Sequence, residues 1–207
     1  MKVVIIGGVA GGATAAARIR RLDEKAEIVV FERSGFISYA NCGLPYYIGG
    51  TIEDGGDLTL QTPERFYKRF RVGMKVHHEV TAIHPETKTV TVKNLENGTV
   101  FTETYDKLIL SPGAKPIKPN FEGIDSDKIF TLRTVEDTLK IKKFINEKYP
   151  KSAVVVGGGF IGIEVAENLR ELGIDVTLVE AADQLMATFD SDMASFIHAE
   201  LRKNGVN

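Results

Sequence analysis

The chain contains a single cysteine, Cys42, within the run Asn41-Cys42-Gly43-Leu44-Pro45-Tyr46. One cysteine closes no internal disulfide and builds no cysteine-rich zinc site, which leaves a buried small hydrophobe or a reactive thiol. Its neighbours predict a loop entering a short helix, with Asn41 as cap, Pro45 in the first turn and Gly49 at the end. Cys42 then stands at the positive helix end, where a thiolate is stabilised. Upstream, Thr14, Arg18 and Arg21 recur at i, i+4 and i+7 and share one polar helix face, opposite Ala15, Ile19 and Leu22. That face suits a phosphate-bearing ligand, or it is simply solvated.

A second kind of chemistry is written in glycines. The segment from Val4 to Gly12 repeats as Val154 to Gly162, offset by 150 residues. Each copy is a short apolar run, a glycine turn and a helix, expected over Ala13 to Leu22 and Ile163 to Leu172, followed by a strand ending in glutamate, Glu32 or Glu180. Gly157, Gly159 and Gly162 fill the three places of a pyrophosphate-binding turn. In the first copy Gly7 and Gly12 hold the outer places, Val9 stands in the middle one, and Gly8, Ala10 and Gly11 complete the loop. A single such turn serves packing as readily as a nucleotide; two turns with two glutamates favour nucleotides. Glu180 favours NADH over NADPH, because a carboxylate accepts from ribose hydroxyls and repels a 2′-phosphate. One unit opening the chain and another interrupting it predicts FAD in the first and a nicotinamide nucleotide in the second.

The elements that must hold these groups read as an α/β protein: two Rossmann-like FAD/NAD(P)-binding domains, 1–113 and 114–207, with an inserted antiparallel β meander. The meander is predicted from Val76 to Ile83, Lys88 to Lys93, Thr99 to Tyr105 and Lys107 to Leu110. Ser111 to Pro116 reads as the linker, Thr134 to Lys148 as an amphipathic helix, and Asp190 to Lys203 as the last helix. The second sheet then has too few strands to be complete, which suggests a truncated chain. His77 and His78, adjacent on a predicted strand, point to opposite faces and make no metal site. Glu53, Asp54 and Asp57 read as a solvated loop. A net charge of -2 gives no general attraction to nucleic acid or anionic membrane. No stretch approaches the roughly 20 apolar residues of a membrane span, and the opening apolar run stops too early for a secretory signal. A soluble, cytoplasmic protein with a small-molecule partner is the expectation.

Taken together, Gly7 to Gly12, Phe31-Glu32, Asn41 to Tyr46, Tyr105 to Ala114 and the second glycine turn make the chain resemble the pyridine nucleotide-disulfide oxidoreductases, in particular the single-cysteine coenzyme A-disulfide reductase branch. Dithiol members carry a second cysteine five positions after the first, where this chain has Tyr47. The resemblance therefore implies a mixed disulfide between Cys42 and coenzyme A, with electrons passing from NAD(P)H through FAD. Related peroxide- and oxygen-reducing enzymes carry a histidine where this chain has Ala10, so disulfide chemistry ranks above an NADH oxidase or peroxidase using a Cys42 sulfenate. The resemblance further implies coenzyme A contacts at Thr14, Arg18, Arg21, Ser38 and Asn41, and cofactor contacts at Arg33, Val80, Ser111, Pro112, Gly113, Arg133, Phe160, Ile161 and Glu164. Of these, Phe160 resembles the aromatic that covers the flavin, although ordinary helix-start packing reads equally well. A basic position of the family falls on Phe70, flanked here by Arg69 and Arg71. The family's C-terminal part adds a flavin-binding segment, a homodimer interface and substrate tyrosines from the partner subunit, and in some members a rhodanese domain follows. As it stands, the chain is also compatible with a non-catalytic nucleotide-binding fragment.

Overall fold

The structure is a computed structural model that describes all of residues 1–207. In chain order its elements are β1 (Lys2–Ile6), α1 (Ala10–Leu22), β2 (Glu27–Phe31), β3 (Ile37–Tyr39), α2 (Leu44–Gly49), β4 (Thr59–Gln61), α3 (Pro63–Phe70), β5 (Gly73–Lys75), β6 (His78–His84), β7 (Thr89–Asn94), β8 (Val100–Thr104) and β9 (Lys107–Leu110). There follow α4 (Val135–Lys148), β10 (Ser152–Val156), α5 (Phe160–Glu171), β11 (Asp175–Val179) and α6 (Ser191–Lys203). They group into two compact units, Met1–Ala40 with Thr59–Lys115, and Asn41–Leu58 with Pro116–Asn207.

The first unit is built on a parallel sheet of order β5-β2-β1-β9. Its central strands read as unbroken apolar runs because both faces are covered. Val3, Ile5, Ile28 and Val30 pack with Ala13 and Ala16 of α1. The alternate residues Val4 and Phe31 pack with Val90 and Val92 of β7. β6, β7 and β8 form the expected antiparallel sheet, and β3 and β4 make a short antiparallel pair that the sequence reading does not anticipate.

Lys107 to Leu110, expected in the meander, instead joins the parallel sheet beside β1. Asp106 decides this: its N–H donates to the Lys2 carbonyl at 2.9 Å and its carboxylate accepts from the Lys2 N–H at 2.6 Å, seating the next strand against β1. His77 is likewise not on a strand. It takes a left-handed turn, φ 55°, between β5 and β6, and only His78 is strand.

One tie in this unit has no sequence signature. The Arg20 guanidinium, on a different face from Arg18 and Arg21, donates to the carbonyls of Phe70, Asp23, Glu24, Ala26 and Arg71 at 2.7–3.1 Å. It thereby closes the C-terminal ends of both α1 and α3. Arg20→Lys keeps the charge and loses the planar fork. The expected cost is about 2 kcal/mol, read as a lower urea midpoint, because solvent replaces part of what is lost at these half-exposed carbonyls.

In the second unit β10 and β11 are parallel and joined through α5. Ala166, Leu169, Ile174 and Val176 pack with Ile48 of α2 and with Val206, and the opposite face of the strand pair leaves Val154, Val156 and Val179 exposed. Thr134 caps α4 through a reciprocal capping box with Asp137. No helix in the molecule is long and apolar enough to cross a membrane.

Candidate functional site

The two glycine turns carry one hydrogen-bond scheme, each within its own unit. Gly7 N–H donates to the Phe31 carbonyl and Gly157 N–H to that of Val179, both at 2.8 Å. Gly8 N–H reaches Glu32 Oε2 at 2.7 Å, and Gly158 N–H reaches Glu180 Oε2 at 2.6 Å. The other oxygens accept from Ser34 N–H and Ala182 N–H, both at 2.8 Å. The similarity extends beyond the glycines: Ser38 N–H donates to the Gly8 carbonyl and Met186 N–H to that of Gly158, each from a left-handed residue six positions after the glutamate.

The turns are tighter than the sequence predicts, so α1 and α5 begin at Ala10 and Phe160 rather than at Ala13 and Ile163. Gly7 (φ 96°) and Gly157 (φ 106°) take torsions that exclude side chains, and a side chain on Gly12 or Gly162 would strike the carbonyl of Gly7 or Gly157. Val9 has φ -96°, so the middle place of the first turn does not take the left-handed backbone that favours glycine. Neither helix start is capped by a side chain, so first-turn N–H groups remain for an anion. The carboxylates of Glu32 and Glu180, held by two N–H groups each, keep lone pairs for ribose hydroxyls. Both turns therefore fit a dinucleotide.

The N–H groups of Ala182 and then Gly158, with a smaller contribution from Ala181, hold the Glu180 carboxyl below the usual glutamate range against a small opposing effect of burial. A carboxyl depressed on folding stabilises the folded state fully above its unfolded range of about 4.3 and loses that contribution as pH falls through the lower folded value. Glu180→Gln is thus expected to flatten the acid limb of thermal stability below about pH 4.3. Melting curves of both proteins over that limb, with an NMR titration of the carboxyl, check the sign.

Cys42 lies in the second unit. Asn41 to Gly43 form a 3₁₀ turn, α2 starts only at Leu44, and Gly43 occupies the cap position without a side-chain bond. Asn41 is therefore not the helix cap: its Oδ1 accepts from the Arg133 guanidinium at 3.0 Å. Arg133 immediately precedes Thr134 at the start of α4, and its own N–H donates to the Asp137 carboxylate at 3.1 Å, so the capping of α4 also steadies the chain beside Cys42. The thiol is exposed and lines a cavity of about 330 Å³ with Arg133, Phe160, Ile161, Glu164 and residues of the turn and α2. Burial raises the Tyr46 hydroxyl pKa, followed by the charges of Glu164, Glu167, Cys42 and Glu171, so this phenol stays protonated beyond its ordinary range.

Two residues that fix α2 escape sequence reading. Lys142 of α4 donates to the Ile48 carbonyl at 2.8 Å and stands 5.5 Å from the centre of the Tyr47 ring, so the place of a second cysteine is filled by a packed aromatic. Asn168 of α5 is fully buried and donates to the Glu164 carbonyl at 2.8 Å, while its Oδ1 faces the backbone of Gly49 where a Cβ would otherwise be. The missing Cβ of Gly49 is what lets α2 and α5 approach this closely, and the buried Oδ1 accepts no hydrogen bond. Phe160 is exposed and meets Phe189 edge-on at 6.1 Å.

The remaining predicted residues belong to the first unit. Thr14, Arg18 and Arg21 are exposed on α1, and Arg21 and Arg69 lie 6.0 and 5.1 Å from the centre of the Phe70 ring. Ser38 is half-buried with φ 46°, Arg33 is exposed, and Val80 packs against the meander core. Ser111 N–H donates to the Ile6 carbonyl at 2.8 Å, which holds Ser111, Pro112 and Gly113 at the end of β9 beside the first glycine turn.

The family model described as pyridine nucleotide-disulphide oxidoreductase matches residues 1–207. The coenzyme A disulfide reductase of Staphylococcus aureus (strain JH9) is 45% identical over 205 residues, which span 99% of this chain and 46% of that protein. Reduced CoADR-RHD from Bacillus anthracis superposes with a TM-score of 0.97 at 53% identity, covering 100% of this chain and 37% of that one. The NADH-bound water-forming NADH oxidase of Lactobacillus brevis gives 0.93 at 36% identity, covering 100% and 46%. The chain thus spans under half the length of these relatives.

Proposed function

This chain belongs to the pyridine nucleotide-disulphide oxidoreductase family, and from that premise we propose that it is the nucleotide-binding and thiol-bearing part of an FAD-dependent reductase that cleaves coenzyme A disulfide, or a coenzyme A persulfide or polysulfide, using NADH. The reading rests on Cys42, an exposed thiol sharing one cavity with Phe160, Ile161 and Glu164 at the helix start that follows the second glycine turn.

Gly7 to Gly12 with Glu32 would hold FAD, and Gly157 to Gly162 with Glu180 would hold NADH, the carboxylate disfavouring a 2′-phosphate. Bound flavin supplies the relay by which a hydride's two electrons reach the thiol site. The Cys42 thiolate attacks one sulfur of the substrate disulfide; the sulfur–sulfur bond breaks, one coenzyme A thiolate leaves, and the other half remains on Cys42 as a mixed disulfide. The two electrons of one NADH would then break that bond, releasing the second thiolate and returning Cys42 to its thiolate, so the cycle spends one NADH per disulfide. Arg133 fixes Asn41 and so the thiol's position, and Tyr46 keeps its proton near the developing charge.

In anaerobic assays of the full-length flavoprotein, NADH is expected to bleach the flavin, and coenzyme A disulfide to restore its colour faster than hydrogen peroxide does. On readmission of air, oxygen is expected to be the slower acceptor as well. Faster turnover with peroxide or oxygen would favour the oxidase or peroxidase reading instead.

A further inference from the structure

Leu185 N–H donates to Nε2 of His198, on α6, at 3.0 Å. An amide N–H only donates, so this ring nitrogen carries a lone pair; the imidazole is neutral, with its proton on Nδ1. What the ring holds is the loop 181–189, and that loop reaches three groups of the second nucleotide site. Ala182 N–H holds Glu180 at 2.8 Å, Met186 N–H holds the Gly158 carbonyl at 2.8 Å from a left-handed backbone, and Phe189 meets Phe160 edge-on. The Leu185 side chain itself lies against Gly158, where an added Cβ would have to displace it.

The first unit shows what this contact replaces. There Ser34, Ile37 and Ser38 make the equivalent approaches to Glu32 and Gly8, but Ile37, the counterpart of Leu185, is held by strand pairing: it lies on β3, opposite Gln61 of β4. In the second unit a titratable ring stands where the first unit uses a sheet.

Resting on the nucleotide reading above, we infer that His198 is a positioning residue for the second dinucleotide site and makes binding there pH-sensitive. Protonation fills the Nε2 lone pair, sets one N–H against another and frees Leu185, and with it the loop that orders Glu180 and Gly158. The loop and its ends carry Glu180, Asp183 and Asp190; on α6, Asp192 accepts from Met193 N–H, Glu200 pairs with Lys203, and Arg202 lies one turn beyond the ring. Of these groups only the imidazole accepts from the Leu185 N–H, so only its protonation removes that acceptor.

The test is calorimetric binding of NAD⁺ to the full-length flavoprotein at about pH 7.5 and 5.5, with His198→Gln and His198→Phe. Gln offers a non-titrating oxygen near the Nε2 position. The wild type is expected to weaken about fivefold at the lower pH, Gln to bind equally at both, and Phe to bind weakly at both. A Gln variant that keeps the wild-type pH dependence, or a Phe variant that binds like wild type, overturns the proposal. The Leu185 amide resonance gives a readout independent of nucleotide: a shift tracking imidazole protonation in wild type and absent in Gln supports the switch, and a pH-invariant resonance overturns it. If that resonance titrates but NAD⁺ fails to bind at either pH, the nucleotide reading falls and takes the binding consequence with it.

Discussion

Cys42→Ser in the full-length protein is expected to slow NADH-driven reduction of coenzyme A disulfide by roughly 10³-fold or more, equivalent to about 4 kcal/mol of barrier. A serine hydroxyl at neutral pH is neither ionised nor a sulfur that forms a disulfide, so both the attack and the mixed disulfide are lost. The change leaves the fold alone: Cys42 is exposed, and a substitution of this size at such a site falls within about 0.5 kcal/mol of neutral. Bleaching of the flavin by NADH persists, because the glycine turns and Glu180 do not involve the thiol. Stopped-flow measurement of the reductive and oxidative halves separates these outcomes. A variant slow in the reductive half would move the role of Cys42 from the disulfide to the flavin.

Gly7→Ala is expected to destabilise the first unit by about 3 kcal/mol or more and to abolish flavin retention. Two costs add. At φ 96° an L side chain is strained by about 1 kcal/mol, and the added methyl collides with the Ser111 backbone carbonyl. No side chain can swing away to make room. Gly7 N–H is fixed on β2 through the Phe31 carbonyl and Ser111 N–H on β1 through the Ile6 carbonyl, so relief requires parting β9 from β1. Gly98→Ala is the control, with φ 75° but nothing within 4 Å of the new methyl, and should cost only about 1 kcal/mol. Melting temperature and bound flavin, read for both variants, check the difference.

What could be read from the residues follows from how local each signal is. The two strand–turn–helix–strand repeats were legible because a buried parallel strand writes itself as an unbroken apolar run and its turn needs glycine at φ near 100°. The lone thiol and the i, i+4, i+7 arginine face were legible for the same reason. Partners distant in sequence were not. Lys107 to Leu110 has the same apolar text on an antiparallel or a parallel neighbour, and the choice lies in the bonds between Asp106 and Lys2. Asn41 has the composition of a cap, and only Arg133, 92 residues away, turns it elsewhere. Arg20, Lys142 and His198 likewise act through backbone groups of other segments. Two hints were available in principle: Asn168 stands one helical turn after Glu164, and Leu185 and Met186 continue the repeat beyond the point where residue identity fades.

The most direct measurement of the central claim is the covalent state of Cys42 in the full-length protein. After anaerobic reduction with a limited amount of NADH and exposure to coenzyme A disulfide, intact-mass analysis and peptide mapping should find one coenzyme A on Cys42, removed by further NADH and absent from Cys42→Ser. A Cys42 that stays unmodified while the disulfide is consumed, or coenzyme A bound through another group, would contradict the account.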